Sequence, residues 1–80
     1  MSIKKSVVLR IQRLCAEKQM TLNALANVSG VTPSTIYSVM NKDRKDIGIV
    51  LIKKICDGME ISIGEFFNDS IFYELEQELE

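Results

Sequence analysis

The sequence predicts an all-α fold: a compact domain of five short helices followed by a short C-terminal helical tail. Three observations carry this prediction. Apolar residues recur at spacings of three and four along most of the chain, the period of a helix buried on one side. Ser or Thr precedes several of these apolar runs, where a side-chain oxygen can cap free helical N–H groups. Breakers are scarce, with 4 Gly and 1 Pro in 80 residues, and the single Pro follows a Thr, as expected at the first position of a helix.

In the first helix Val7, Ile11 and Leu14 form the stripe, widened by Val8 and Cys15, with Arg10, Arg13 and Glu17 on another face. Leu9 falls outside that stripe. Thr21 caps a second helix carrying Leu22, Leu25, Ala26 and Val28, which stops at Ser29-Gly30 with Gly30 as the turn pivot. Thr32-Pro33 opens a third helix running to about Met40, with Ile36, Val39 and Met40 inward and Ser34, Thr35, Tyr37 and Ser38 outward. After a polar loop from Asn41 to Asp46, the run IGIVLI has the β-branched content of a buried strand. A helix accounts better for Ile49, Ile52, Ile55, Cys56 and Met59, whose threes and fours outlast a six-residue strand. Ser62 and Glu65 form a capping box for a fifth helix with Ile63, Phe66 and Phe67 inward. From Ser70 to Leu79 a final helical stripe of Ile71, Phe72, Leu75 and Leu79 competes with a frayed terminal tail.

Eighty residues make one domain, within the usual range of about 50–200 residues for a single core. The net charge is −1, but all ten basic residues lie in the first 54 positions beside only Glu17, Asp43 and Asp46, giving that part +7. The remaining eight acids follow with no basic residue, so the end carries −8. Such asymmetry suits a basic face for phosphates and an acidic end turned away from them. The start MSIKKSVV has no hydrophobic leader, and no apolar run approaches the roughly 20 residues of a membrane span, so a cytoplasmic protein without a membrane partner is expected.

Catalytic signals are absent. There is no His, which removes the commonest metal ligand and general base. Cys15 and Cys56 have no CxxC companion and read as small core residues. The scattered methionines fit core filling, and Glu74, Glu76, Glu78 and Glu80 read as solvated charge. No phosphate-binding glycine loop or nucleophile-base pair occurs. An enzyme, a cofactor, a metal and a small-molecule substrate are therefore not expected.

Two short helices joined at a glycine, the second lined with small polar residues, form an arrangement able to place a helix in the DNA major groove. The segment Leu25-Ala26-x-x-Ser29-Gly30-Val31-Thr32-x-Ser34-Thr35-Ile36-x-x-x-Met40-Asn41 resembles the lambda repressor and Cro-like helix-turn-helix family, also called Xre-type. The resemblance runs from about Ile11 to Phe67 and includes Met20-Thr21-Leu22 and a closing helix around Ile63-Gly64-Glu65-Phe66-Phe67. It implies a sequence-specific double-stranded DNA-binding regulator of transcription, a repressor by expectation, acting as a homodimer. Position by position, it implies base contacts from Pro33, Ser34, Thr35, Tyr37 and Ser38. Phosphate contacts are implied for Thr21, Asn23, Thr32, Asn41, Lys42, Arg44 and Lys45, to which Lys4, Lys5, Arg10 and Arg13 add charge. Residues 1–68 then form the DNA-binding domain and 69–80 an acidic amphipathic dimerisation tail. Ile63, Phe66, Phe67, Ile71, Phe72 and Leu75 offer the apolar seam.

The chain departs from the family pattern in three places. An Arg of the first helix and a Glu ending the third, often an ion pair, are replaced by Cys15 and Met40. Exchanging both partners for apolar groups strands no charge. A frequent Gln opening the second helix is Leu22. The usual Gly after the fourth helix is Glu60, which predicts a different corner, because a left-handed backbone disfavours a side chain. The alternative function is a protein-interaction module on the same fold, antitoxin-like or bound by an antirepressor.

Overall fold

The computed structural model describes residues 1–79; Glu80, the last of the tail glutamates, lies outside the described residues. Five helices follow in order: α1 (Ile3–Glu17), α2 (Leu22–Ser29), α3 (Pro33–Met40), α4 (Ile49–Gly58) and α5 (Ile63–Phe67), then a single 3-10 turn at Ser70–Phe72. The helix starts are set by the predicted side chains. Thr21 accepts from the Ala24 N–H, Thr32 from the Thr35 N–H and Ser62 from the Glu65 N–H, with Glu65 closing the capping box. Ser2 does the same for α1, and Gly48 opens α4 without a side-chain cap.

Three corners share one construction. After α1, α2 and α4 the chain enters the left-handed region at Gln19, Gly30 and Glu60, with φ of 52°, 71° and 60°. At each, two hydrogen bonds return to the last helical turn: Gln19 to Ala16 and Met20 to Cys15, Gly30 to Asn27 and Val31 to Ala26, Glu60 to Asp57 and Ile61 to Cys56. This double closure satisfies carbonyls that a helix end would otherwise strand. The next residue, Met20, Val31 or Ile61, leans on the core, and the one after it caps the following helix. The corner at Glu60 keeps the glycine-like shape despite its side chain, against the expectation of a different geometry.

The core consists of Val7, Ile11, Leu14 and Cys15 of α1, Leu25 and Ala26 of α2, Ile36 and Val39 of α3, Ile52, Ile55 and Cys56 of α4, then Met59 and Phe66. Helix α2 is central and packs against both α3 and α4. Its approach to α4 is very close, because a Cβ on Gly58 would stand 2.8 Å from Ser29 Oγ and 2.9 Å from the Val28 carbonyl. Met40 is half-buried against the core and Cys15 is buried within it, so the positions of the family's ion pair hold apolar side chains.

Several expectations need correction. Ile49 leads the α4 stripe on paper but is 65% exposed, because it forms the free first turn and the buried stripe starts at Ile52. Val28 faces outward, while its backbone meets Gly58. Helical structure from Ser70 to Leu79 is confined to the 3-10 turn, after which the chain is irregular. Arg10 does not lie on a solvent face. Its Nε donates to the Phe66 carbonyl at 2.8 Å, Nη2 donates to the Glu65 carbonyl at 2.9 Å, and Nη1 lies 3.4 Å from Asp69. A five-residue helix is far below the length that stands alone; the Ser62 box holds the front of α5 and the Arg10 guanidinium its back.

Phe66 belongs wholly to the core, with 0% exposure. Its ring lies 4.9 Å from that of Phe67, which in turn lies 5.0 Å from Phe72. Phe66 is thus unavailable to the expected seam, while Ile63, Phe67, Ile71, Phe72 and Leu75 are half-buried.

Candidate nucleic-acid interface

Helix α3 is divided by its own period. Ile36 and Val39 are buried against the core, whereas Pro33, Ser34 and Tyr37 are exposed and Thr35 and Ser38 half-buried on the opposite side. All five predicted base-contact residues therefore share one presented face. At its start the hydroxyls cluster: Thr32 Oγ1 lies 3.0 Å from Ser34 Oγ and 2.9 Å from Thr35 Oγ1. Because Thr32 also accepts the Thr35 N–H, its remaining hydrogen-bonding capacity is directed along the face of α3.

Side chains from neighbouring segments fix the same face. Tyr37 Oη donates to Asn23 Oδ1 at 3.0 Å, joining α3 to the first turn of α2. Arg44 Nη1 donates to Ser38 Oγ at 2.9 Å while its Nε donates to the Asp46 carbonyl at 2.8 Å. Arg44, read from the sequence as a phosphate contact, thus lies directly on a base-contact candidate. It brings to the outward face of α3 a guanidinium that the helix itself lacks.

The loop after α3 is tied down from a distance. Asn41 Oδ1 accepts the Asp43 N–H at 2.9 Å, forming a tight Asx turn. Lys4 Nζ donates to the Asn41 carbonyl at 2.9 Å and the Arg44 carbonyl at 2.5 Å. Lys42 and Lys45 remain exposed, as do Lys5, Thr21, Asn23 and Thr32. Lys4 therefore serves as a staple for the loop, a role hidden in the sequence because its partners lie 37 and 40 positions away. Arg10 and Arg13 both approach Asp69, the latter at 3.7 Å. They are withdrawn from the charge expected around α3.

Beside this loop lies an open groove of about 460 Å³, lined by Val8, Leu9 and Met40 together with Lys4, Lys5, Lys42 and Lys45. Leu9, outside the core stripe of α1, has its place here. A smaller groove of about 240 Å³ runs between Ile3, Val7, Ile47, Ile49, Ile52 and Phe67. Among the described residues no three His, Cys, Asp or Glu side chains converge as metal ligands would. Both cysteines are free and buried. Desolvation pushes the Cys15 and Cys56 thiols up, and Asp57 pushes Cys56 further while Lys53 opposes it. No helix among the described residues is long and apolar enough to cross a membrane.

No curated protein and no solved structure matches this chain. Residues 10–70, however, match the Cro/C1-type HTH DNA-binding domain, a span that holds all of α2 to α5 and the second half of α1. On that match, which covers most of its length and contains the α2–α3 pair with its presented helix face, the chain belongs to the Cro/C1-type helix-turn-helix DNA-binding family.

Proposed function

We propose that this protein is a sequence-specific transcriptional repressor that reads the major groove of double-stranded DNA with α3, as a homodimer. The observation that carries this reading is the division of α3. Ile36 and Val39 anchor the helix while Pro33, Ser34, Thr35, Tyr37 and Ser38 face outward beside Arg44. Hydroxyls read bases ambiguously, and Pro33 or the Thr35 methyl can touch a thymine methyl, while the Arg44 guanidinium would sharpen the discrimination only as long as the Ser38 hydroxyl holds it in place. Thr21, Asn23, Thr32, Asn41, Lys42 and Lys45 would hold phosphates, helped by the free N–H groups of α2 and α3. Within this reading residues 1–68 are the DNA-binding unit, 69–80 is an acidic tail, and the protein works in the cytoplasm.

One copy carries one such helix, α3, so a pair is needed to place two recognition helices about 34 Å apart. Ile63, Phe67, Ile71, Phe72 and Leu75 are the seam in this reading. Ile49 and Val50, neighbours at the start of α4, are each 65% exposed. This pair favours a second reading, a protein-interaction module on the same fold.

The test is binding to the DNA upstream of the protein's own gene, against a scrambled duplex, across a salt series. Preferential binding is expected, with a logarithmic salt slope near −5 if about six phosphates are neutralised per dimer. The triple variant Ser34→Ala, Thr35→Ala, Ser38→Ala keeps the Thr32 cap and should remain folded while losing operator preference. Retained preference would sink the base-contact assignment. A folded wild-type sample that binds neither duplex at low salt would move the conclusion to the interaction module.

A further inference from the structure

The charge asymmetry of the chain suggests a strongly acidic end far from the basic face, but the fold brings the two together. At the 3-10 turn Ser6 Oγ donates to the Ile71 carbonyl at 3.1 Å, and beyond it the Glu76 N–H donates to the Met1 carbonyl at 3.1 Å. The Met1 ammonium lies 3.7 Å from the Glu76 carboxylate. These contacts lay the tail along the start of α1, where Glu76, Gln77 and Glu78 form part of the wall of the 460 Å³ groove that Lys4, Lys5, Lys42 and Lys45 also line. The segment lies outside the family-matched span, which ends at residue 70.

We propose that this acidic tail is a built-in competitor for DNA: Glu76 and Glu78 stand in the groove where a phosphate backbone would approach Lys42 and Lys45, and binding to DNA requires the tail to leave. This inference rests on the assignment of Lys42 and Lys45 as phosphate contacts. Among the described residues the tail's ion pair is with the exposed Met1 ammonium rather than with a lysine, so the carboxylates act on the lysines through space. Such an interaction is felt within a screening length of about 8 Å at physiological salt and fades as salt rises. The tail is held by few bonds, as a displaceable element must be. A duplex presents a continuous row of phosphates and outcompetes two carboxylates once the protein is aligned on it.

The experiment compares the intact chain with two full-length variants of equal net charge, Glu76→Gln/Glu78→Gln in the tail and Glu60→Gln/Glu65→Gln elsewhere. Gln at position 65 can still close the Ser62 capping box, and circular dichroism verifies both folds. Affinity for a duplex of arbitrary sequence is read by fluorescence anisotropy over a salt series. Both variants should gain from their reduced negative charge. The tail variant should exceed the other by about five-fold at low salt, the excess vanishing at high salt. Equal gains overturn the tail as competitor, leaving DNA binding intact. No binding by any of the three overturns the phosphate assignment and the tail with it. Independently, the Glu76 amide should be protected from hydrogen exchange in the free protein and lose that protection at saturating duplex; retained protection overturns the proposal.

Discussion

Arg44 and Lys42 sit two positions apart in one loop, yet their surroundings differ. The Arg44 guanidinium is held on Ser38 and the Asp46 carbonyl, whereas Lys42 is exposed. Arg44→Ala should therefore lower affinity and relax operator preference, because it removes a fork and frees the Ser38 hydroxyl. Lys42→Ala should weaken binding to all duplexes alike and reduce the salt slope by about 1. Titrating both variants against operator and scrambled DNA separates the two roles. The outward set on α3 was legible from helical period alone. The Arg44–Ser38 and Tyr37–Asn23 bonds were not, since neither pair shares a helix. At the buried cysteines, desolvation raises both thiols, so folding favours the neutral form. That stabilisation is complete below the ordinary thiol range and is lost as pH rises through it, where unfolded thiols ionise and folded ones do not. Urea unfolding across alkaline pH should show the loss, reduced in Cys15→Ala, and native protein should resist alkylation until it unfolds.

The three corners show what could be read at the level of elements. Thr21, Thr32 and Ser62 announced their helices because a hydroxyl before an apolar run has a local partner three residues on. The left-handed residues were legible only at Gly30. Gln19 and Glu60 adopt the same conformation without the residue type that signals it, at a local cost repaid by the two returning hydrogen bonds and the apolar residue that follows. Glu60→Gly should stabilise the domain by about 0.5–1 kcal/mol, the relief of left-handed strain exceeding the added freedom of the unfolded glycine. Thermal unfolding would register it as a rise of several degrees. Gly58 behaves oppositely. Gly58→Ala must push the Val28 backbone away and should cost about 1–3 kcal/mol. Ser29 Oγ is buried without a hydrogen-bond partner, so Ser29→Ala should be neutral or mildly stabilising on the same denaturation curves. Ile49 and Val28 were misplaced because periodicity assigns a side of a helix but does not reveal where along its length the neighbouring helix begins.

At the scale of the molecule, composition indicated a separation of charge, and the fold reveals its geometry. Arg10 and Arg13 are drawn to Asp69, Lys4 to the loop after α3, and Glu76 and Glu78 to the lip of the basic groove. Contacts of this kind join residues up to 75 positions apart, as from Met1 to Glu76, and no local pattern encodes a pairing at that distance. The salt dependence of DNA binding should accordingly be set by Lys5, Lys42, Arg44 and Lys45 rather than by all ten basic residues, and Arg13→Ala should leave the slope unchanged. The hydrogen bond from Glu76 to Met1 has a topological consequence. The path of the chain is nearly a ring, with its beginning and its tail lying side by side. A short linker joining them, with a new opening in the exposed stretch after Asn41, would reorder the sequence without moving a helix. In such a permutant α4 and α5 would be synthesised before α1, and the same helix-turn-helix would assemble from a chain read in a different order.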